Sequence, residues 1–377
     1  DAIYLSYQGR DVTNNTERQP SLVLTELFDY LHSATGLRRE QIRDLPLQPF
    51  AAANYQGAQP SFDRHWLRLT EPLPETSNIA ALPEPDWPES LPLKQLIDAL
   101  DHPSRAFARQ RLGLFLGYDS GPQLDDSEPF APDHLTRYQL QAQLIDSELG
   151  LDDMPVESWL DRARLSGLLP DHAEAEDDLQ SWQQQAEQFA AHLMELGSGE
   201  LTLDNVETRI DGQQLRAQLP RLADGRLLFW RLADAKGKDY LTLWLHHLVA
   251  NLSGATETLG LYRTNKTDAV YQLQLAPLNA DDAKTELTNW LRIWKLALCR
   301  PLPLNSAIGV EVAKPRTRGD YQPYHFDRLW YGDQFRSGLG SDAYMHWFWP
   351  EAPDEAALRD DLLALYEPLF AHLSSDA

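Results

Sequence analysis

Residues 200–231 read ELTLDNVETRIDGQQLRAQLPRLADGRLLFWR, and two Asp-Gly pairs, Asp211-Gly212 and Asp224-Gly225, cut the stretch into three. An Asp-Gly pair between alternating segments marks a tight turn, because the turns that suit a right-twisted hairpin need residues tolerant of positive φ. The expectation is an antiparallel meander: a first strand from Glu200 to Ile210, a second over Gln213–Leu219 and a third over Arg226–Arg231. Upstream, Trp182, Phe189, Leu193 and Leu196 recur at helical spacing over roughly 173–196. Downstream, Leu241, Trp244, Leu245 and Leu248 share one helix face, and a strand-like run follows at Thr258–Arg263. The order is α, β, β, β, α, β.

That order makes the chain α/β and is the core of the restriction-endonuclease-like (PD-(D/E)XK-type) nucleases, here with additional helices. Such enzymes need an Asp on the second strand and an acid-x-Lys on the third, because carboxylates hold the divalent metal that activates water. The second strand reads Gln213-Gln214-Leu215-Arg216-Ala217-Gln218-Leu219 and the third Arg226-Leu227-Leu228-Phe229-Trp230-Arg231, with no carboxylate in either. The expectation is a nuclease-like core that lacks catalytic residues. Asp234-Ala235-Lys236 does spell acid-x-Lys past the third strand, but the nearest upstream acid, Asp224, lies in a turn. The alternative reading is an active Mg-dependent DNA nuclease built on Asp224, Asp234 and Lys236. An exposed loop is preferred, since such triplets arise by chance in a chain that is 24% charged.

Other chemistry is missing too. Gly237-Lys238 is followed by Asp239 and lacks the upstream Gly of a phosphate-binding loop. His246 and His247 are adjacent, so on a helix they cannot form the i, i+4 pair that binds zinc. The single cysteine, Cys299, forms no internal disulfide and suits a reducing compartment. No metal and no cofactor are expected. With 33 basic and 57 acidic residues the net charge is −24, which repels phosphate at long range and confines any DNA contact to local clusters. No apolar run is long enough to cross a membrane, and the N-terminus has no export signal, so a cytoplasmic location is expected. Opening at Asp1 directly on the strand-like Ile3–Tyr7 points to a piece of a longer protein.

The 377 residues carry a soft prior of two to three domains. Residues 1–36 read as a strand and a helix, the helix starting near Ser21 and stopping at Gly36. Residues 37–92 are proline-rich and form a connector. The rest, 93–377, begins with a helix on Leu93, Leu96, Ile97 and Leu100, continues with a second from Pro103 to about Gly117, and has a third capped by Asp133. Further helices carry Leu287, Trp290, Leu291, Trp294 and Leu298, and then Leu358, Leu362, Leu365, Tyr366 and Leu369. The region 300–350 resists assignment.

Several short motifs in a shared order carry a family resemblance. Ile3-Tyr4-Leu5-Ser6-Tyr7-Gln8-Gly9-Arg10-Asp11 and Glu17-Arg18-Gln19-Pro20-Ser21 come first. His102-Pro103-Ser104-Arg105-Ala106-Phe107 with Arg111-Leu112, Glu128-Pro129-Phe130 with Leu135-Thr136-Arg137-Tyr138-Gln139, and Trp244-Leu245-His246-His247-Leu248 follow. In these the chain resembles the C-terminal part of the RecC family, the gamma chains of exodeoxyribonuclease V (RecBCD). The matches run from the start to about residue 250 and are loose over the last hundred residues. The resemblance implies that residues 1–36 end a helicase-like domain and that 93–377 form a nuclease-like domain without its catalytic residues. It implies RecB-like and RecD-like partner subunits, and a part in splitting the duplex and guiding double- and single-stranded DNA during repair of broken ends. Recognition of the regulatory Chi sequence belongs, in the family, mainly to the helicase-like portion.

Candidate DNA contacts are two local basic clusters, Arg105, Arg109 and Arg111 on one helix and Lys314, Arg316 and Arg318 in a short segment; ordinary surface ion pairing is the competing reading. Candidate partner contacts are Tyr321, Tyr324, Trp330, Tyr331, Trp347 and Trp349, because aromatic residues are enriched at interface cores. The competing reading is that these rings fill a core.

Overall fold

The computed structural model describes residues 3–11, 16–38, 41, 45–46, 48–56, 60–61, 66–67, 81–116, 134–149, 161–162, 164–165, 173–198, 201–264, 269–317, 324–334 and 336–376. The chain forms two compact units, Asp1–Ile79 and Ala80–Ala377.

In the first unit, α1 (Leu22–Thr35) starts where the Ser21 hydroxyl accepts from the Leu24 N–H and ends at Gly36, whose left-handed backbone (φ 71°) lets its N–H reach His32. The expected strand at Ile3–Tyr7 does not form. Strands exist by pairing, and among the described residues only the single bridge Arg10 to Glu17 pairs in this segment.

The second unit is built on a mixed sheet. β2 (Thr202–Ile210) and β3 (Gln213–Arg221) are antiparallel over their full length around Asp211 (φ 48°) and Gly212 (φ 79°), as the Asp-Gly signal requires. β4 (Leu227–Arg231) follows the second Asp-Gly turn. A crossover through α6 (Gly237–Asn251) then sets β5 (Thr258–Arg263) parallel to β4. β6 (Val270–Leu275) and the terminal β9 (Leu373–Asp376) add antiparallel strands to that side. β1 (Ser90–Pro92) lies parallel to β3.

Helices cover both faces. α4 (His134–Glu148) and α5 (Ala173–Glu195) close over Leu228, Leu259 and Leu261 with Leu144, Ile145, Phe189 and Leu193. The opposite face is covered by α2 (Leu93–Asp101), α6, α7 (Ala280–Cys299), α8 (Ser306–Thr317) and α11 (Glu355–His372), with Trp244 and Trp290 fully buried. Each large side chain so buried contributes roughly 2–3 kcal/mol from apolar area. Gly237 at the start of α6 is there because a Cβ would lie 2.4 Å from the backbone of Ser306 and Ala307.

α3 (Pro103–Arg111) is shorter than expected, because the chain turns out of the helix at Gly113 (φ 65°). The unassigned 300–350 region contains α8, α9 (Tyr324–Tyr331), the small pair β7 (Gly332–Asp333) and β8 (Arg336–Ser337), and α10 (Ala343–Phe348). At the C-terminal end of α6 lies a buried polar knot. Asn251 accepts from the N–H groups of Thr256 (2.8 Å) and Leu278 (3.0 Å) and donates to the carbonyls of His247 and Thr256, while His247 Nδ1 meets Thr258 Oγ1 at 2.9 Å. No helix among the described residues is long and apolar enough to cross a membrane.

Candidate functional site

In a sheet of this order the chemistry would sit where the second and third meander strands part. β3 and β4 do part: only Arg221 and Leu227 are paired, beside the Asp224-Gly225 turn. The start of that edge of β3 is taken by β1, with Ser90, Leu91 and Pro92 in register with Gln214, Leu215 and Arg216. The Gln213 amide, buried, donates to the Pro88 carbonyl at 2.9 Å. This part of the fork is thus filled by the end of the proline-rich segment, and beyond it a cavity is lined by Arg216, Ala217 and Gln218 of β3, by Ile97 of α2, which starts at the residue after β1, and by Lys238 and His246 of α6.

The acids and bases nearby are bound to one another. Asp224 accepts from the Arg226 backbone N–H (3.0 Å) and Nε (2.6 Å), and these bonds, the backbone one first, hold its carboxyl below the ordinary range. Asp234 lies at the far end of β4, where its carbonyl takes an Arg231 N–H. Five strand residues separate the two acids, about 16 Å of chain. Two ligands of one metal ion, each at about 2.0–2.6 Å from it, cannot be that far apart. Lys236 caps α6 and is exposed; its N–H donates to Asp239 at 2.7 Å. Asp239, which the sequence reading did not single out, is ion-paired with Arg231 at 3.0 Å, and burial raises its carboxyl despite that partner. An acid in the first turn of a helix was the available signal. Among the described residues no group of three or more His, Cys, Asp or Glu could hold a metal. Burial pushes His246 and His247 down to about 4, and they occupy different surroundings, His246 against Phe229 and His247 in the polar knot.

Comparison with known proteins decides the kinship. The family model of the RecC C-terminal domain matches residues 88–317. This chain belongs to the RecC family. It is 28% identical to the RecBCD enzyme subunit RecC of Escherichia coli (strain K12) over 80% of the chain and 28% of that protein. With the RecBCD enzyme subunit RecC of Haemophilus influenzae (strain ATCC 51907 / DSM 11121 / KW20 / Rd) the identity is 21% over 66% of the chain and 23% of that protein. The chain therefore spans about a quarter of the length of these relatives. The RecC match begins at Pro88, whose carbonyl holds Gln213, so the filled part of the fork lies inside the matched domain.

The RecC match also contains the first basic cluster, and its three arginines meet different partners. Arg105 pairs with Asp101 at 3.3 Å, Arg111 donates to the Pro83 carbonyl at 2.8 Å, and Arg109 Nε donates to the Tyr344 hydroxyl at 2.9 Å. In the second cluster Lys314 Nζ lies 3.3 Å from the Tyr240 hydroxyl. Arg318 and Tyr321 lie outside the described residues, as do the side chains of Arg316 and Tyr324. The remaining aromatic candidates divide. Trp330 is 3% exposed and stacked on Phe326, so it belongs to the core; Trp349 is half-buried, its indole N–H directed at Ser104 Oγ. Tyr331 and Trp347 stand at the surface, 68% and 58% exposed.

Proposed function

We propose that this chain is the non-catalytic, nuclease-like part of a RecC subunit, working in the cytoplasm within a RecBCD-type helicase-nuclease that repairs double-strand breaks by recombination. Residues 1–36 would close a helicase-like part, 37–92 connect, and 93–377 form the nuclease-like domain. It docks RecB-like and RecD-like subunits and helps split and guide the DNA strands. The observation that carries the reading is the fork between β3 and β4: its carboxylate positions hold amides, aliphatics, an aromatic and arginine, and β1 takes the part of the fork beside Gln214–Arg216. The family match supports the assignment to the complex. Tyr331 and Trp347 are the candidates for subunit contact, and Arg105, Arg109, Arg111, Lys314, Arg316 and Arg318 for DNA. The purified chain, incubated with linear DNA and Mg²⁺ or Mn²⁺, is expected to leave it intact while co-purifying with RecB- and RecD-type subunits. Cleavage that is lost in Asp234→Ala would establish the metal-nuclease reading instead.

A further inference from the structure

Arg109 differs from those arginines of this acidic chain that pair with a carboxylate, and shares its ring contact with Arg137, which lies 5.4 Å from the centre of Trp182. Arg105, Arg221, Arg226 and Arg231 each pair with a carboxylate. Arg109, exposed at the end of α3, makes no ion pair among the described residues and lies instead against two aromatic rings, 5.7 Å from the centre of Phe115 and 5.5 Å from that of Tyr344. Its Nε donates to the Tyr344 hydroxyl, which also accepts from the Leu116 N–H at 3.2 Å. That bond and the bond from Leu114 N–H to Ala108 O (2.9 Å) hold the turn that carries Phe115, although Phe115 is 60% exposed. Tyr344 is fixed from behind: it is buried, edge-on to His102, and starts a helix capped by Asp342, which His102 Nε2 meets at 3.0 Å. One helical turn on from Tyr344, Trp347 stands exposed.

We propose that Phe115 and Arg109, held in place by the buried Tyr344, form a stacking platform for unpaired bases of a single DNA strand. The inference rests on the strand-guiding reading above and gives that reading a place. An exposed ring beside a guanidinium presents a flat face and N–H groups side by side, which matches the two things a nucleotide offers, a base plane and a phosphate oxygen. Stacking also suits a chain of net charge −24, because it does not depend on long-range attraction of phosphate.

The test is anisotropy of a labelled oligothymidine titrated with the full chain at low salt. Phe115→Ala is expected to weaken binding about ten-fold, Phe115→Tyr to restore it, and Tyr344→Phe, which keeps the ring but frees Arg109 Nε, to weaken it less. The salt dependence should stay unchanged in Phe115→Ala, since no phosphate contact is lost. Iodouracil in the strand should crosslink to Phe115. Wild-type binding by Phe115→Ala overturns the proposal. So does loss of partner-subunit assembly with oligonucleotide binding intact, which would make the corner a protein interface. A chain that assembles with its partners but binds no strand overturns the platform alone. A chain that cuts DNA overturns the inert-domain reading and leaves the platform standing.

Discussion

The sheet centre and the α3–α10 corner use polar groups in opposite ways. Around β4, β5 and α6 most polar side chains meet one another: Arg231 pairs with Asp239, Arg226 with Asp224, and His247, Asn251 and Thr258 form one knot, although among the described residues the buried Arg231 Nε and Trp244 indole N–H meet no acceptor. At the corner, Arg109 rests on rings and an aromatic surface is left outward. A buried group that has met its partners is committed to stability, whereas an ordered and exposed one remains available to a ligand. At the place that the element order suggests for chemistry the charged groups are therefore mostly clasped by neighbours, and the surface proposed for binding lies elsewhere.

The largest effect should come from breaking the knot. Asn251→Ala strips partners from the buried N–H groups of Thr256 and Leu278 and is expected to cost about 4 kcal/mol, read as a lowered midpoint in urea unfolding. Acid should act on the same knot. Burial sets His247 at about 4 in the fold against 6.5 when free, so the unfolded chain takes up a proton that the fold refuses. Its contribution is whole above about pH 6.5 and is lost as pH falls toward 4, up to about 3 kcal/mol in all. Urea midpoints that stay level from pH 7 to pH 5 would contradict this. Next comes Asp239→Leu, which leaves the Arg231 guanidinium poorly compensated and should cost about 2 kcal/mol; adding Arg231→Leu should recover much of it.

Much of the sheet was legible because its turns are local. Asp211-Gly212 and Asp224-Gly225 pin β2, β3 and β4 without help from the rest of the chain, and α6 carries its own apolar stripe. β9 was not legible: Leu-Ser-Ser-Asp has no strand pattern and is extended only because β6 lies beside it. β1 is three residues at the end of a proline-rich run, and its pairing with β3 is a tertiary event, so the filled part of the fork could not be read, although the missing carboxylates could. The basic cluster was visible as charge. The contact of Arg109 with Tyr344 was not, since Tyr344 lies 235 residues from Arg109 and one sequence says nothing about such a meeting. The seven-residue run Ile3–Gly9 shows the converse, a segment with strand composition that pairs with no strand among the described residues.

The smallest expected effect bears on the nuclease reading most directly. Asp224→Asn removes a charge from a half-exposed pair with Arg226, and pairs of that kind are worth under about 1 kcal/mol. The bonds from Arg226 lower the carboxyl, so its small contribution is present above about pH 4, where the unfolded carboxylate is ionised, and fades only as pH falls through the lower folded value. Asn keeps an oxygen for the Arg226 N–H, so the turn should hold, with a melting temperature within a degree or two of the parent. A residue that held a catalytic metal would behave differently: removing a ligand carboxylate typically raises stability in the absence of metal by relieving like-charge repulsion, and abolishes any stabilisation by Mg²⁺. Thermal unfolding of parent and Asp224→Asn, each with and without Mg²⁺, separates the two, and four closely similar curves are what a clasped turn acid predicts.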